Sequence, residues 1–111
     1  MKLWLDDQYK DPDTPNRHPP EGWIGVDSAL EACRLVKTGK VTHISFDHDL
    51  GKLFDGATVA KYIEKLAYFD KIDWIECEIH SANPVGRARI KAAIDRAKCS
   101  WTANLLDFSK R

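Results

Sequence analysis

The alternation of short apolar segments with longer segments of helical periodicity restricts this chain to few folds. Segments suited to β-strands lie at residues 2–5, 23–26, 41–47 and 74–81. Apolar residues recur at the 3.6-residue spacing of an amphipathic helix over residues 29–36, 53–69 and 83–98. Strands that alternate with helices predict a parallel sheet with right-handed crossovers and helices on its faces.

Capping residues locate the ends of the predicted helices. Asp27 or Ser28 is the expected N-cap of the first helix, and Gly39 is its stop.

The residues at 74–81 alternate strictly between the two faces of a strand, which is typical of a strand near a sheet edge with one face partly exposed to water.

The third helix and the residues after it form the last part of the chain. Asn83 is its expected N-cap, with Pro84 in the first turn, and the helical pattern ends near Lys98. Residues 99–111 either add a last strand or pack against the sheet, and the pattern does not distinguish the two.

A proline-rich segment separates the first two strands. Residues 8–22 hold four of the five prolines in the chain, and proline excludes regular helix through most of the segment. We therefore predict a long exposed loop, and loops of this length usually have a function.

The composition fits one soluble domain spanning residues 1–111. Lys plus Arg and Asp plus Glu number 17 each, so the net charge is zero and predicts no general attraction to nucleic acid or an anionic membrane. General nucleic-acid binding also lacks a stripe of aromatic and basic residues. No segment resembles a signal peptide or is long enough to span a membrane, so a reducing cytoplasm is expected. Three widely spaced cysteines are predicted to be reduced, buried thiols: Cys33, Cys77 and Cys99.

Three predicted strands end in polar clusters, LDD (5–7), FDHDLG (46–51) and IHSANP (79–84). Ligands of open parallel sheets bind beyond the carboxyl ends of the strands, so we expect a site at that edge. Asp6, Asp7, Asp47 and Asp49 would come close together there, and close carboxylates cannot all stay ionised without compensation, so either some are protonated or a cation lies among them. Mg²⁺, or Mn²⁺ in its place, is the predicted ion, held by Asp6, Asp7 and Asp47. Alternatively, some of these residues only cap helices or turns.

The start of the third helix is a candidate phosphate-binding segment. Free backbone N–H groups and the positive end of the helix dipole face the strand ends, Gly86 permits close approach, and Arg87 adds a bidentate donor. Ser81 and Asn83 complete this predicted ligand-binding set. The alternative is an ordinary capped helix with an exposed arginine.

Two histidines at strand ends are candidates for proton transfer. His48, beside Asp49, and His80, beside Ser81, could act as general acid and base on a phosphoester or its attacking water. No catalytic role is assigned to His43 or His18. The His-x-Ser sequence at 43–45 is half of a two-histidine phosphoesterase signature, and residues 80–82 do not supply the second half.

Taken together, LWLDD (3–7), GW (22–23), ISFDHDLG (44–51), DGATVAKYI (55–63) and HSANPVGRARI (80–90) resemble the cyclic-phosphate processing receiver-like domain family. The resemblance runs from about residue 3 to residue 94. It implies a divergent response-regulator receiver fold, a three-layer, flavodoxin-like parallel sheet of order 2-1-3-4 with an optional fifth strand. The first helix of an ordinary receiver is replaced here by the proline-rich loop.

By order along the chain, the resemblance places Asp6 and Asp7 at the receiver's Mg²⁺-binding acidic pair, Asp47 at the phosphoacceptor and Ser81 at the Ser or Thr that ends the fourth strand. Two features depart from the pattern. The conserved lysine of the last receiver strand has no counterpart in SWTANLLDF (100–108). Family members often carry an arginine shortly after LDD, so either Lys10 or Arg17 replaces it or the contact is absent.

Two functions are consistent with these features. The first is a metal-dependent phosphoesterase that acts on cyclic phosphate or nucleotide-derived phosphoester ends, with His48, Asp49 and His80 in proton transfer. The second is a non-catalytic receiver-like module that binds a phosphorylated ligand or a partner protein, or accepts a phosphoryl group on Asp47. In either case the expected partner is a small phosphorylated or cyclic nucleotide-type ligand.

Overall fold

A computed structural model describes residues 1–51, 54–107 and 109 of the chain. The strands are β1 (Lys2–Leu5), β2 (Ile24–Val26), β3 (His43–Phe46) and β4 (Glu76–Ile79), and the helices are α1 (Ala29–Lys37), α2 (Gly56–Tyr68) and α3 (Pro84–Leu106). A 3₁₀ turn at Pro15–Arg17 lies in the proline-rich loop. The four strands form one parallel sheet of order β2-β1-β3-β4, which confirms the predicted receiver-like α/β fold. The described residues include no fifth strand, and β4 is an edge strand, as its alternating pattern predicts.

One face of the sheet packs against all three helices. Leu3, Leu5, Ile44 and Phe46 alternate along the two central strands on this face and are fully buried. They belong to a single apolar cluster with helix residues that include Val36, Val59, Ala60, Ile63, Ile90 and Ala97. The two crossovers therefore place α1 and α2 on the same side of the sheet.

The opposite face of the sheet is covered by the proline-rich loop. Trp4 pairs across the sheet with Gly25 on one side and Ser45 on the other, so these residues share that face. A Cβ on Gly25 would lie 2.0 Å from the Tyr9 ring, so glycine allows this loop residue to pack on the strand. The Trp4 indole N–H donates to the Arg17 carbonyl at 2.8 Å. Of the three expected layers, one is thus formed by the helices, one by the sheet and the third by the proline-rich loop rather than by a helix.

The helix starts follow the predicted capping chemistry. Ser28, rather than Asp27, caps α1 by accepting a hydrogen bond from the Glu31 N–H at 3.2 Å. Gly39 follows this helix with a φ of 77°, a conformation that favours glycine. Helix α2 is capped by Asp55 and begins at Gly56, and its predicted first residue, Leu53, lies outside the described residues.

Helix α3 continues two turns beyond its predicted end near Lys98, and residues 99–106 are helical rather than a strand. Trp101 on this extension is buried, and its indole N–H donates to the Ile72 carbonyl at 3.1 Å. The Trp74 and Trp101 rings pack with centroids 5.3 Å apart. The end of the helix therefore packs beside the segment that leads into β4.

The cysteines do not form disulfides in the structure. Cys33 and Cys77 are partly buried, and burial raises the pKa of Cys77 to about 12. Cys99 is exposed, so the prediction of a buried thiol is wrong there, because α3 turns this position outward. Among the described helices, none combines the length and hydropathy needed to cross a membrane.

Candidate active site at the carboxyl edge of the sheet

The sheet itself places three polar residues on a common rim. The residue directly after each of β1, β3 and β4 is polar, namely Asp6, Asp47 and His80. The backbone N–H of each donates to a carbonyl of a neighbouring strand. The distances are 3.0 Å from Asp6 N to Val26 O, 2.9 Å from Asp47 N to Leu5 O and 2.9 Å from His80 N to Phe46 O. These hydrogen bonds extend the sheet pairing into the rim, so the positions of the three residues are fixed by the fold.

Asp6, Asp7 and Asp47 form an acidic cluster on this rim. Each offers one carboxylate oxygen, and these oxygens lie within 4.8 Å of one another. Asp6 is fully buried and Asp47 is only 5% exposed, whereas Asp7 faces solvent. Asp49 is not part of the cluster. Its side chain is 69% exposed and is turned toward His48.

The acidic cluster is bound by Arg17 from the proline-rich loop. Arg17 Nε donates to Asp6 Oδ2 at 2.6 Å, Nη2 donates to Asp47 Oδ2, and the same Nη2 lies 3.7 Å from Asp7 Oδ1. Nη1 donates to Gln8 Oε1 at 3.2 Å. Of the two basic residues suggested by the family pattern, Arg17 thus reaches the cluster, while Lys10 lies over the Tyr9 ring. The sequence patterns alone did not place Arg17 in the site.

Burial and ion pairing act in opposite directions on these groups. Burial raises the pKa of Asp47, and the Arg17 charge partly offsets that rise. The hydrogen bond to Asp6 raises the pKa of Arg17, so the guanidinium stays charged. The cluster therefore holds a fixed positive charge among carboxylates, two of which have little access to water.

His80 is held on both ring nitrogens. Nε2 lies 3.0 Å from Asp6 Oδ2, and Nδ1 lies 2.8 Å from Ser45 Oγ. Since a carboxylate only accepts, Nε2 carries the proton and Nδ1 accepts from the serine hydroxyl. The ring stacks on Trp4 with centroids 3.9 Å apart and planes 5° from parallel. Burial lowers the pKa of His80, and Asp6 opposes that shift.

His48 lies in a second group, here called the helix-start cluster, with Asp49, Asp55, Asn83 and Gly86. His48 Nδ1 bonds Asp49 Oδ1 at 2.9 Å, and Asn83 Nδ2 donates to Asp49 Oδ2 at 3.3 Å. His48 Nε2 lies 3.1 Å from Asp55 Oδ2, within ion-pair distance, but among the described residues this buried nitrogen has no hydrogen-bond partner. A Cβ on Gly86 would lie 2.2 Å from His48 Cγ, so the glycine makes room for the ring.

The predicted phosphate-binding segment is largely engaged with the protein itself. The Asn83 side chain caps α3 by accepting from Gly86 N at 3.0 Å, and Ser81 Oγ accepts from Asn83 N at 3.2 Å. Arg87 Nη1 donates to the carbonyls of Ile79 and Ser81 at 3.1 and 3.0 Å. These contacts join the end of β4 to the start of α3, and a role of the segment in ligand binding stays a prediction.

The acidic cluster fits a divalent cation in the number and kind of its donors, since Mg²⁺ and Mn²⁺ prefer carboxylate oxygens. Arg17 contacts the same three carboxylates. An ion held by the acidic cluster would therefore share its carboxylate ligands with the Arg17 guanidinium.

Comparison with known proteins identifies the family of the chain. The family model of the cyclic-phosphate processing receiver domain matches residues 1–96. This range includes the four strands, the acidic cluster, His48 and His80. No curated protein and no solved structure matches the chain. Because the family match covers far more than half of the sequence, the chain belongs to the cyclic-phosphate processing receiver domain family.

Proposed function

We propose that this protein is a metal-dependent phosphoesterase that hydrolyses cyclic phosphate or other nucleotide-derived phosphoester ends at the sheet rim. The observation that carries the proposal is the meeting of three carboxylates, Arg17 and His80 on one rim, in a family described as processing cyclic phosphates. Carboxylates beside an arginine and a histidine are the groups that phosphoester hydrolysis needs for charge compensation and proton transfer.

Asp6, Asp7 and Asp47 are the residues that would hold the ion. When bound, a divalent ion neutralises charge on phosphoryl oxygens and lowers the pKa of a coordinated water. Asp6 has a further task, because its Oδ2 also holds the His80 ring through Nε2 at 3.0 Å. The same carboxylate thus links the ion site to the proton-transfer residue.

Hydrolysis forms one P–O bond from water and breaks one P–O bond to the sugar oxygen, so one proton must leave the water and one must reach the departing oxygen. His80 is our choice for proton transfer at this rim, because it contacts the acidic cluster directly. Ser45 holds its Nδ1 and Trp4 holds the ring plane, so both position His80 rather than react. His48 and Asp49 lie in the helix-start cluster and are the second proposed proton-transfer pair.

The competing function is a receiver-like module that binds a phosphorylated ligand or takes a phosphoryl group on Asp47. The Asp47 carboxylate is nearly buried, and one of its oxygens accepts from Arg17. A phosphoacceptor must present an oxygen to the incoming phosphorus, so the burial of Asp47 weighs against phosphoryl transfer to it. Ligand binding without turnover remains as the outcome that would favour the module.

The test is a substrate panel of 2′,3′-cyclic nucleotides, cyclic dinucleotides and ADP-ribose cyclic phosphate, with Mg²⁺, Mn²⁺ or EDTA, followed by chromatography of the products. We expect turnover of a member of the panel with the ions and none with EDTA. Substitutions His80→Gln and Asp47→Asn should lower kcat by about 100-fold or more. His43→Gln is the matched control, because His43 lies at the opposite end of β3. Full activity of His80→Gln, or binding of a panel member without any turnover, would contradict the proposal.

A further inference from the structure

We propose that Arg17 and the divalent ion occupy the acidic cluster in turn, so that ion binding releases the Arg17 guanidinium to bind the phosphate of the substrate. The inference rests on the proposed function, since it takes Asp6, Asp7 and Asp47 as the ion ligands. It assigns to Arg17, a residue of the proline-rich loop, the role of phosphate ligand.

The first step is that the two cations compete for the same atoms. Asp6 Oδ2 already accepts from Arg17 Nε at 2.6 Å, and Asp6 Oδ1 accepts from the Gln8 N–H at 2.9 Å. Asp47 Oδ2 accepts from Arg17 Nη2. Because a divalent ion would be held by the same carboxyl groups, it would compete with the guanidinium for them, and two neighbouring cations repel strongly where water is scarce.

The second step is the charge of the cluster. Arg17 brings one positive charge to the three carboxyl groups, whereas a divalent ion in its place brings two. Two of the three carboxylates are buried, where each uncompensated charge is costly, so the exchange favours the ion.

The third step is that the backbone of Arg17 stays anchored when its side chain leaves. The Arg17 carbonyl accepts from Trp4 Nε1 at 2.8 Å, and the Arg17 N–H donates to the Thr14 carbonyl at 2.9 Å. Its side chain is 28% exposed, so the open path leads outward from the cluster to solvent. A released guanidinium therefore remains within one side-chain length of the ion, where a bound phosphate would place its oxygens.

The measurement that tests the exchange directly is a titration of ¹⁵N-labelled protein with Mg²⁺, followed by the Nε–H signal of Arg17. In the ion-free protein this N–H is bonded to buried Asp6 and should exchange slowly with water. Arg17→Lys identifies the signal by its disappearance. We expect protection to be lost with the same midpoint as ion binding measured by calorimetry. Ion binding that leaves the Arg17 Nε–H protected would overturn the proposal.

Affinity measurements on variants give a second test that does not depend on turnover. Mn²⁺ binding, measured by electron paramagnetic resonance, should tighten about tenfold or more in Arg17→Met, because no ion pairs have to be broken first. Arg17→Lys keeps the charge with fewer hydrogen bonds, so its affinity should lie between those of the wild type and Arg17→Met, and it serves if Arg17→Met does not fold. Arg89→Met is the control, since Arg89 contacts Asp55 rather than the acidic cluster.

Phosphate binding supplies the other half of the inference. With Mg²⁺ saturating, the affinity for inorganic phosphate should fall about tenfold in Arg17→Met relative to the wild type. An unchanged phosphate affinity would overturn the assignment of Arg17 as phosphate ligand.

Failure of this inference can be told apart from failure of the proposed function. Ion binding by Arg17→Met but not by the wild type would mean that Arg17 is a permanent counter-ion, which overturns the exchange and leaves the cluster able to hold an ion. Binding by neither would overturn the exchange together with the ion assignment. Absence of turnover on the substrate panel, with the exchange observed, would overturn only the hydrolytic function.

Discussion

His80 and His48 both lie at the carboxyl edge of the sheet, yet they are held in different ways. Both ring nitrogens of His80 have partners, Asp6 and Ser45, and the ring face stacks on Trp4. His48 has one hydrogen bond, to the exposed Asp49, and a buried Nε2 without one among the described residues. What confines the His48 ring is contact with the α3 backbone at Gly86.

The difference separates the rim into two halves. The acidic cluster and His80 are joined by charged contacts between residues far apart in the chain, such as Asp6 with His80 and Arg17 with Asp47. The helix-start cluster combines ion pairs of His48 with two exposed or half-buried aspartates, Asp49 and Asp55, with close packing where α2 and α3 begin. Changes of charge should therefore disturb the first half, and changes of volume should disturb the second.

Among the substitutions that change charge or volume at the rim, Arg17→Met should have the largest effect on stability. Removing the guanidinium leaves buried Asp6 and Asp47 without their cation, and loss of one partner of a buried ion pair costs on the order of 3 kcal/mol. Urea denaturation in EDTA measures the change in the free energy of unfolding. Arg34→Met is the matched control, because Arg34 pairs with Glu31 on the surface of α1, where losing an ion pair should cost far less. Equal losses in the two variants would mean that the acidic cluster does not depend on charge compensation.

Gly86→Ala is the corresponding change of volume in the second half. The new methyl group would lie 2.2 Å from His48 Cγ, so we expect a loss of about 2 kcal/mol from overpacking. His48→Ala removes the ring that the new methyl group would clash with. In the double variant His48→Ala/Gly86→Ala, most of the stability lost through Gly86→Ala should therefore be recovered. The double-mutant cycle from urea denaturation measures this coupling. Additive losses would show that His48 is not what excludes a side chain at position 86.

Much of the rim was predictable because the chain signals its strand ends. Apolar segments that run into LDD and FDHDLG mark where β1 and β3 leave the core, and parallel pairing brings those ends together. The convergence of Asp6, Asp7 and Asp47 follows from that arrangement. The cap at Asn83 was predictable for a different reason. Helix capping depends only on residues that are adjacent in the sequence, here Asn83 and the proline that follows it.

The contacts that were not predicted depend on residues without a repeating pattern. Arg17 reaches the cluster from a loop in which nothing indicates where a side chain points, apart from the arginine expected after LDD. The contact of Gly86 with His48 was also not predicted: the missing side chain of Gly86 leaves room for the His48 ring, and its role in phosphate binding stays a prediction. The extension of α3 past Lys98 was missed because Ser100, Thr102 and Asn104 interrupt the apolar pattern, although Trp101 packs inward there.

A smaller effect, about 1 kcal/mol, is expected for Asn83→Ala. This substitution removes the N-cap of α3 and the contact to Asp49. Asn83→Asp keeps an oxygen for the cap but places a second carboxylate beside Asp49, so it separates the two contributions. Ser28→Ala, which removes only the cap of α1, is the matched control. Thermal and urea unfolding measure the three variants. If Asn83→Asp is as stable as the wild type, the cap matters and the Asp49 contact does not.

The smallest expected effect is a pH dependence of stability due to His80. Burial lowers the pKa of His80 in the folded protein below its ordinary value of about 6.5, against the opposing charge of Asp6. Below pH 6.5 the unfolded chain therefore binds this proton more readily than the folded one. The stability that neutral His80 contributes is complete above about pH 6.5 and is lost as the pH falls through its folded-state pKa.

Asp47 acts with the opposite sign at lower pH, because burial raises its pKa and the folded state holds the proton longer. The His80 contribution is therefore the difference between the wild type and His80→Gln, measured by urea denaturation from pH 7.5 down to about pH 5. We expect the wild type to lose stability faster than His80→Gln over this interval, and His43→Gln to follow the wild type. Parallel curves for all three proteins would mean that Asp6 offsets the burial of His80 completely.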